Sequence, residues 1–254
     1  MLYPPLFAGA VVGGEFTSLV QTVADRIAGL VRSKPNAVLG LATGSTPKAI
    51  YAELVRFHQE EGLDFSGVTC FNLDEYYPIK ASSIHSYHRY MAAHLFSKIK
   101  ARDWRVPQGD ASSLEGVNEA CARFEQDIRD AGGIDFQLLG IGRNGHIGFN
   151  EPGSDIGSRT RLVRLDRETR EDAAGGFGGI EYVPYQAITM GIATILEARE
   201  IILVARGEQK RAITELAMRG PITHRVPASY LQTHPDVTWC LDWPIEENNF
   251  SQLL

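Results

Sequence analysis

Three cysteines in 254 residues, Cys70, Cys121 and Cys240, are odd in number, scattered, and in no Cys-x-x-Cys pair. That excludes a disulfide framework and fits reduced thiols in the cytoplasm. Basic runs are missing too. With a formal net charge of -6 and no interleaving of aromatic and basic residues, nucleic acid is not an expected partner, since such binding depends on Lys and Arg neutralising phosphates. No apolar run approaches the roughly 20 residues needed to cross a bilayer. The opening segment, Met1 to Leu6, has no basic stretch leading into a long apolar core, so neither membrane span nor signal peptide is expected. Internal repeats and low-complexity tracts are absent as well.

What is present is ordinary for a globular protein: 44% hydrophobic and 22% charged residues. A chain this long buries roughly 70–75% of the surface its unfolded form exposes, so it needs no metal or disulfide staple. An acidic protein can still hold an anionic metabolite if positive potential is concentrated locally.

Short apolar runs alternate with longer amphipathic stretches. The runs are 37–42, 68–73, 134–140, 200–205 and 237–241, and helical patterns cover about 47–61, 83–98, 114–131 and 209–219. Runs apolar on both faces suit a parallel sheet covered on both sides. The expected fold is therefore α/β, a doubly wound, mostly parallel sheet in a single domain spanning 1–254. Ala173 to Gly179 contains four glycines and reads as a mobile loop. In open α/β sheets ligands bind beyond the carboxyl ends of the strands, which directs attention to the loops that follow each run.

After the first run, Thr43-Gly44-Ser45-Thr46-Pro47-Lys48 combines a flexible glycine with a helix start, Thr46 as cap and Pro47 at the first position. Free amides there make an anion site; the Gly-Lys-Ser/Thr ending of a Walker loop is missing. After the second run, Asp74-Glu75 puts two carboxylates at a strand end. The nearest histidine pair, His85 and His88, lies on the next helix, so no metal is expected. After the third, Gly140 to Gly145 matches Gly-x-Gly-x-x-Gly. Further glycines and Pro152 follow instead of a helix, so a dinucleotide is not expected. That loop reads as one presenting His146 and Glu151 to a cleft, a histidine suited to proton transfer beside a carboxylate that sets its tautomer or pKa. After the fourth, Lys210 sits in a helix's first turn, where a cation is disfavoured unless an anion lies between.

Taken together, Leu41 to Pro47, Phe71 to Tyr76 and the segment Gly145-His146-Ile147-Gly148-Phe149-Asn150-Glu151-Pro152 resemble motifs of the glucosamine-6-phosphate deaminase/isomerase family. Ser158-Arg159-Thr160-Arg161, Ala187 to Gly191 and Gly207 to Lys210 resemble its later motifs. The resemblance runs in order over about residues 37–242. The sibling 6-phosphogluconolactonases share the fold, and lactone hydrolysis or another hexosamine phosphate is the alternative reading. The resemblance implies cofactor-free isomerisation and deamination of a small sugar phosphate to fructose 6-phosphate and ammonia. By it, Asp74 moves a proton between C2 and C1. His146 opens the ring with Glu151, Asn144 belongs to the same catalytic group, and Thr43, Gly44, Ser45, Thr46, Glu75 and Lys210 hold the substrate. Two positions depart from the pattern of many members. Asn144 replaces an aspartate, and no Arg stands at Gly175 to close on the phosphate, which leaves Arg170 as the nearest substitute. Arg161 is present but the next basic position is Val163, so activation by N-acetylglucosamine 6-phosphate is not expected. Monomer and homo-oligomer both remain open.

Overall fold

Strands that are apolar on both faces need cover on both sides, and the computed structural model, which describes residues 10–244, is built that way. The opening segment from Met1 to Leu6 lies outside the described residues. In chain order the strands are β1 (Ala10–Gly13), β2 (Val38–Leu41), β3 (Thr69–Asn72), β4 (Asp74–Tyr77), β5 (Asp103–Arg105), β6 (Phe136–Leu139), β7 (Arg161–Arg164), β8 (Gln186–Thr189), β9 (Glu200–Ala205) and β10 (Val237–Leu241). The helices are α1 (Phe16–Ser33), α2 (Ser45–Glu61), α3 (Tyr87–Met91), α4 (Ser97–Ile99), α5 (Leu114–Asp130), α6 (Arg167–Phe177), α7 (Ile192–Leu196) and α8 (Arg211–Arg219).

Seven strands form one sheet in the order β1-β10-β9-β6-β2-β3-β5, each neighbouring pair parallel. The alternation of side chains along a strand divides β9 between two cores. Ile202 and Val204 join Leu39, Leu41, Leu138 and the apolar stripes of α1 and α2, whereas Ile201, Leu203 and Ala205 join Val38, Phe71, Trp239 and residues of α5, α7 and α8. On α1 the buried positions are Leu19, Val20, Val23, Ala24, Ile27, Ala28 and Val31, the spacing of one helical face.

The order also creates a switch point. From β2 the chain moves outward through β3 to β5, then returns to place β6 on the other side of β2. The loops after β2 and β6 therefore diverge and leave a crevice at the carboxyl edge.

The expected parallel strands are all found, but β1, α1 and a second sheet were not anticipated. This sheet is antiparallel, in the order β4-β8-β7, and pairs Asp74 with Thr189 and Arg161 with Thr189. Helix boundaries also move. The 83–98 pattern is α3, a π-helical turn Ala92–Phe96 and α4, and Ser86 caps α3 by accepting the Arg89 amide. Helix α2 begins at Ser45, with Gly44 at φ 120° as its N-cap and Pro47 two positions further in than expected. Pro47 is tolerated there because amides of the first turn have no intrahelical partner. Lys210 closes a short 3-10 turn, Glu208–Lys210, that leads into α8.

The reading of Ala173 to Gly179 as a loop is corrected: residues 173–177 finish α6. Each glycine costs about 1 kcal/mol in a helix interior, but Ala173, Ala174 and Phe177 pack against the core of Tyr76, Phe149, Val183 and Ala187. That burial outweighs the propensity. Gly178, at φ 79° with its amide donating to the Ala174 carbonyl, ends the helix.

The correction has a direct test. An added methyl at Gly175 or Gly176 meets no atom within 4 Å, so Gly175→Ala and Gly176→Ala should each stabilise the protein by about 0.4–1 kcal/mol. Gly178→Ala should instead cost about 1–2 kcal/mol, because its left-handed backbone penalises a side chain. Urea midpoints read both signs; a disordered segment would give no change at any of the three.

Candidate active site

The crevice at the switch point is a cleft of about 290 Å³ lined from the ends of β2, β3, β6 and β9. It falls just under the roughly 300–1,000 Å³ range for ligand pockets. Its walls include Thr43, Gly44, Ser45 and Thr46 from the loop after β2, Asp74 after β3, Gly142 and His146 after β6, and Lys210 after β9. Thus seven of the residues singled out in the sequence share one space, while Glu75, Asn144 and Glu151 do not line it.

The loop after β2 is held from behind. The Tyr51 hydroxyl donates to the Ala42 carbonyl, and the Tyr90 hydroxyl donates to the Gly44 carbonyl at 2.7 Å. No side chain caps the start of α2, so its first amides and the positive end of the helix dipole are offered to the cleft. Across from it the Lys210 Nζ donates to the Ile141 carbonyl at 2.5 Å. Burial pushes the Lys210 pKa down, Asp172 opposes that shift, and Arg143 adds to it.

Asp74 stands where the chain leaves one sheet for the other. The Leu73 amide donates to the Leu41 carbonyl of the parallel sheet, and the Leu73 carbonyl accepts from the Met190 amide beside the antiparallel one. The side chain of Asn72 donates to the Asp74 carbonyl at 2.8 Å. Asp74 is 6% exposed. Burial, with the neighbouring Glu75 second, pushes its pKa up to about 8. Glu75 turns the other way: its carboxylate accepts the amides of Tyr76, Tyr87 and His88. Its expected place among the substrate contacts is therefore corrected. It fastens the start of α3 to β4; burial pushes its pKa up to about 7, and the three amide donors work against that shift and leave it below Asp74.

His146 is fixed by a network the sequence only hinted at. The Asn144 amide nitrogen donates to Glu151 at 2.8 Å and reaches Asp166 at 3.3 Å, so its oxygen faces the histidine, accepting the His146 amide at 3.1 Å and Nδ1 at 2.8 Å. The proton accordingly sits on Nδ1, and Nε2 keeps its lone pair. Glu151 lies 3.3 Å from the same Nδ1, behind the ring and outside the cleft, not presented to it as expected. Burial works to raise the Glu151 pKa, yet the hydrogen bond and charge of His146, with Asn144 and Thr169, carry it below its usual value. Gly142 makes room for the ring: a Cβ there would fall 2.2–2.4 Å from three imidazole atoms.

Helix α6 supplies a wall that sequence reasoning missed, with Thr169, Asp172 and Ala173 lining the cleft. The hydroxyl of Thr169 lies 3.3 Å from Nδ1 of His146. Its signals were Asp166 before an acidic first turn, masked by the glycines that follow. Arg170, expected as a substitute phosphate ligand, points away. Its guanidinium donates to the Val183 and Ile180 carbonyls and stacks 3.7 Å from the Tyr185 ring centroid.

Comparison with known proteins decides the family. Residues 16–239 match the family model described as glucosamine-6-phosphate isomerases/6-phosphogluconolactonase. The chain belongs to that family. Within it, the chain is 47% identical to a glucosamine-6-phosphate deaminase of Bacillus velezensis over 230 residues, 90% of this chain and 94% of that protein. It is 48% identical to one from Rhodopirellula baltica, over 87% of this chain and 90% of that protein. A solved monomeric glucosamine-6-phosphate deaminase superposes with a TM-score of 0.87 at 44% identity, covering 92% of this chain and 97% of that one. A 6-phosphogluconolactonase from Shewanella baltica shares the fold, with a TM-score of 0.71 at 21% identity.

The raised pKa of Asp74 has a consequence for stability. Between its ordinary value near 4 and about 8, the folded state holds a proton that the unfolded state releases. Stability therefore falls as pH rises through that window, and the loss is complete above about 8. Asp74→Asn, which keeps the shape of the neutral acid, should gain on the wild type progressively from pH 5 upward and exceed its stability most at pH 9. Urea denaturation across pH 5–9 checks this; parallel curves for the two proteins would mean Asp74 is ionised throughout.

Proposed function

We propose that this chain converts glucosamine 6-phosphate and water to fructose 6-phosphate and ammonia. The observation that carries the reading is a buried carboxyl, Asp74, facing one cleft with an imidazole nitrogen and an anion-binding end, all close in sequence to deaminases.

The phosphate sits against the start of α2 and Lys210, which places the sugar between Asp74 and His146. Nε2 of His146 takes the proton from the hydroxyl on C1. The bond from C1 to the ring oxygen breaks, a carbonyl forms at C1, and the ring oxygen collects a proton. The open-chain carbonyl acidifies the C2 hydrogen, so Asp74, ionised, removes it to give an enolamine. Return of that proton to C1 leaves an imine at C2, and water adds there as ammonia departs. Asn144 and Glu151 orient the imidazole without touching the sugar. Asp74 then combines high basicity with burial, which a carboxylate in water does not offer. A monomer is the reading in keeping with the solved monomeric deaminase that superposes on this chain. Three unpaired, buried cysteines fit a reducing cytoplasm.

Two substitutions test the reading, each assayed by ammonia and fructose 6-phosphate release beside acid release from 6-phosphogluconolactone. Asp74→Asn should lower turnover by about 10²–10⁴, the usual contribution of a general base; wild-type turnover would remove Asp74 from that role. Lys210→Ala should raise KM roughly 10- to 150-fold, the loss of a charge-assisted hydrogen bond of about 1.5–3 kcal/mol. Acid release from the lactone outpacing ammonia formation in the unmodified protein would overturn the assignment.

A further inference from the structure

Among the described residues, Lys210 is the only Lys or Arg lining the cleft. A phosphomonoester brings about -1.5 to -2 charges at neutral pH, and on the facing wall it meets a carboxylate, Asp172. One lysine and a helix start against a dianion and an acid is an unbalanced arrangement. The counter-charge stands next to it. Arg143 follows the lining residue Gly142, and its guanidinium grips Asp172 with Nη2 at 2.7 Å from Oδ1 and Nε at 3.1 Å from Oδ2, while Glu168 lies 3.4 Å away.

Resting on the reading of the cleft as a sugar-phosphate site, we propose that Arg143 is a phosphate-recognising residue, held at the cleft by Asp172 and exchanging that carboxylate for the phosphate oxygens when substrate binds. The planar fork that grips two carboxylate oxygens fits two phosphate oxygens equally well. The exchange replaces one unit of negative charge by nearly two. It also removes the repulsion between phosphate and Asp172, whose side chain is 45% exposed and turns to water once released. Arg143 and Asp172 both act on the titration of Lys210, in opposite senses, so the three charges already share one space. The competing account is that the ion pair only clamps α6 against the loop after β6.

Calorimetric binding of sorbitol 6-phosphate, which has no carbonyl to enolise, separates these accounts without turnover. Arg143→Gln should weaken binding about tenfold, with Arg143→Lys between it and the wild type, because charge remains but the fork is lost. Asp172→Asn should bind as tightly as the wild type or more tightly, since it frees Arg143 and removes the repelling charge. In turnover the effect of Arg143→Gln should fall mainly on KM. Unchanged binding by Arg143→Gln overturns the proposal. So does an equal weakening by both variants, which is the signature of a clamp. If the unmodified protein binds sorbitol 6-phosphate no better than sorbitol, the phosphate reading itself fails; a clear phosphate preference with no effect of Arg143→Gln leaves that reading standing and removes only Arg143. Melting temperatures close to that of the wild type confirm folding, as expected for an exposed pair.

Discussion

The burial of one carboxyl group governs the rest of the site. Asp74 opens the antiparallel strand β4 just after Leu73, the single residue that separates it from the parallel strand β3, and its neighbours in both sheets are committed to backbone pairing. A group at such a junction cannot be moved without disturbing two sheets, which is how a side chain with few conformational options is aimed at a ligand. The same location excludes water, and excluded water is what makes the acid a strong base once ionised. Placement and basicity here have a common cause.

The imidazole is positioned by different means. His146 lies on a loop, so its precision comes from neighbours. Asn144 divides its amide between histidine and carboxylates, Gly142 yields the space of a side chain, and Gly148 at φ 57° brings the loop to Thr189, whose hydroxyl accepts the Phe149 amide at 3.0 Å. Arg161 supports the far end by donating to Asn150, whose own amide reaches the Met190 carbonyl at 2.8 Å. The loop is thereby tied to the end of β8, the strand that also pairs with Asp74. Acid and imidazole are thus referenced to one strand despite lying about seventy residues apart in sequence.

The parallel sheet could be read from the chain because its strands are apolar on both faces, a pattern few other environments tolerate. The antiparallel sheet could not: β4 is Asp-Glu-Tyr-Tyr and β7 is Arg-Leu-Val-Arg, so charge and exposure hide the alternation. The residues of the cleft that follow parallel strands were readable by the rule that ligands gather at carboxyl ends. Those of α6 were not, since a helix with two interior glycines draws its stability from packing by Phe177 and its neighbours, and propensity points the other way. Glu75 shows the limit of reading by adjacency. Two successive residues in a strand face opposite sides, so Asp74 can look into the cleft only if Glu75 looks away from it.

That acidic surroundings enclose the receptor of a dianion bears on how the ligand arrives. Asp172 lines the mouth, Glu168 and Asp166 lie nearby, and the whole chain carries a net charge of -6. A long-range field of that sign slows the approach of a negative solute instead of steering it, and salt relaxes the effect. On the proposed placement of the phosphate, attraction begins only within hydrogen-bonding reach of the cleft wall, where the α2 amides and Lys210 stand. Capture by such a site is a contact event, so selectivity among anions is exercised at the walls of the cleft and not in the solution around it.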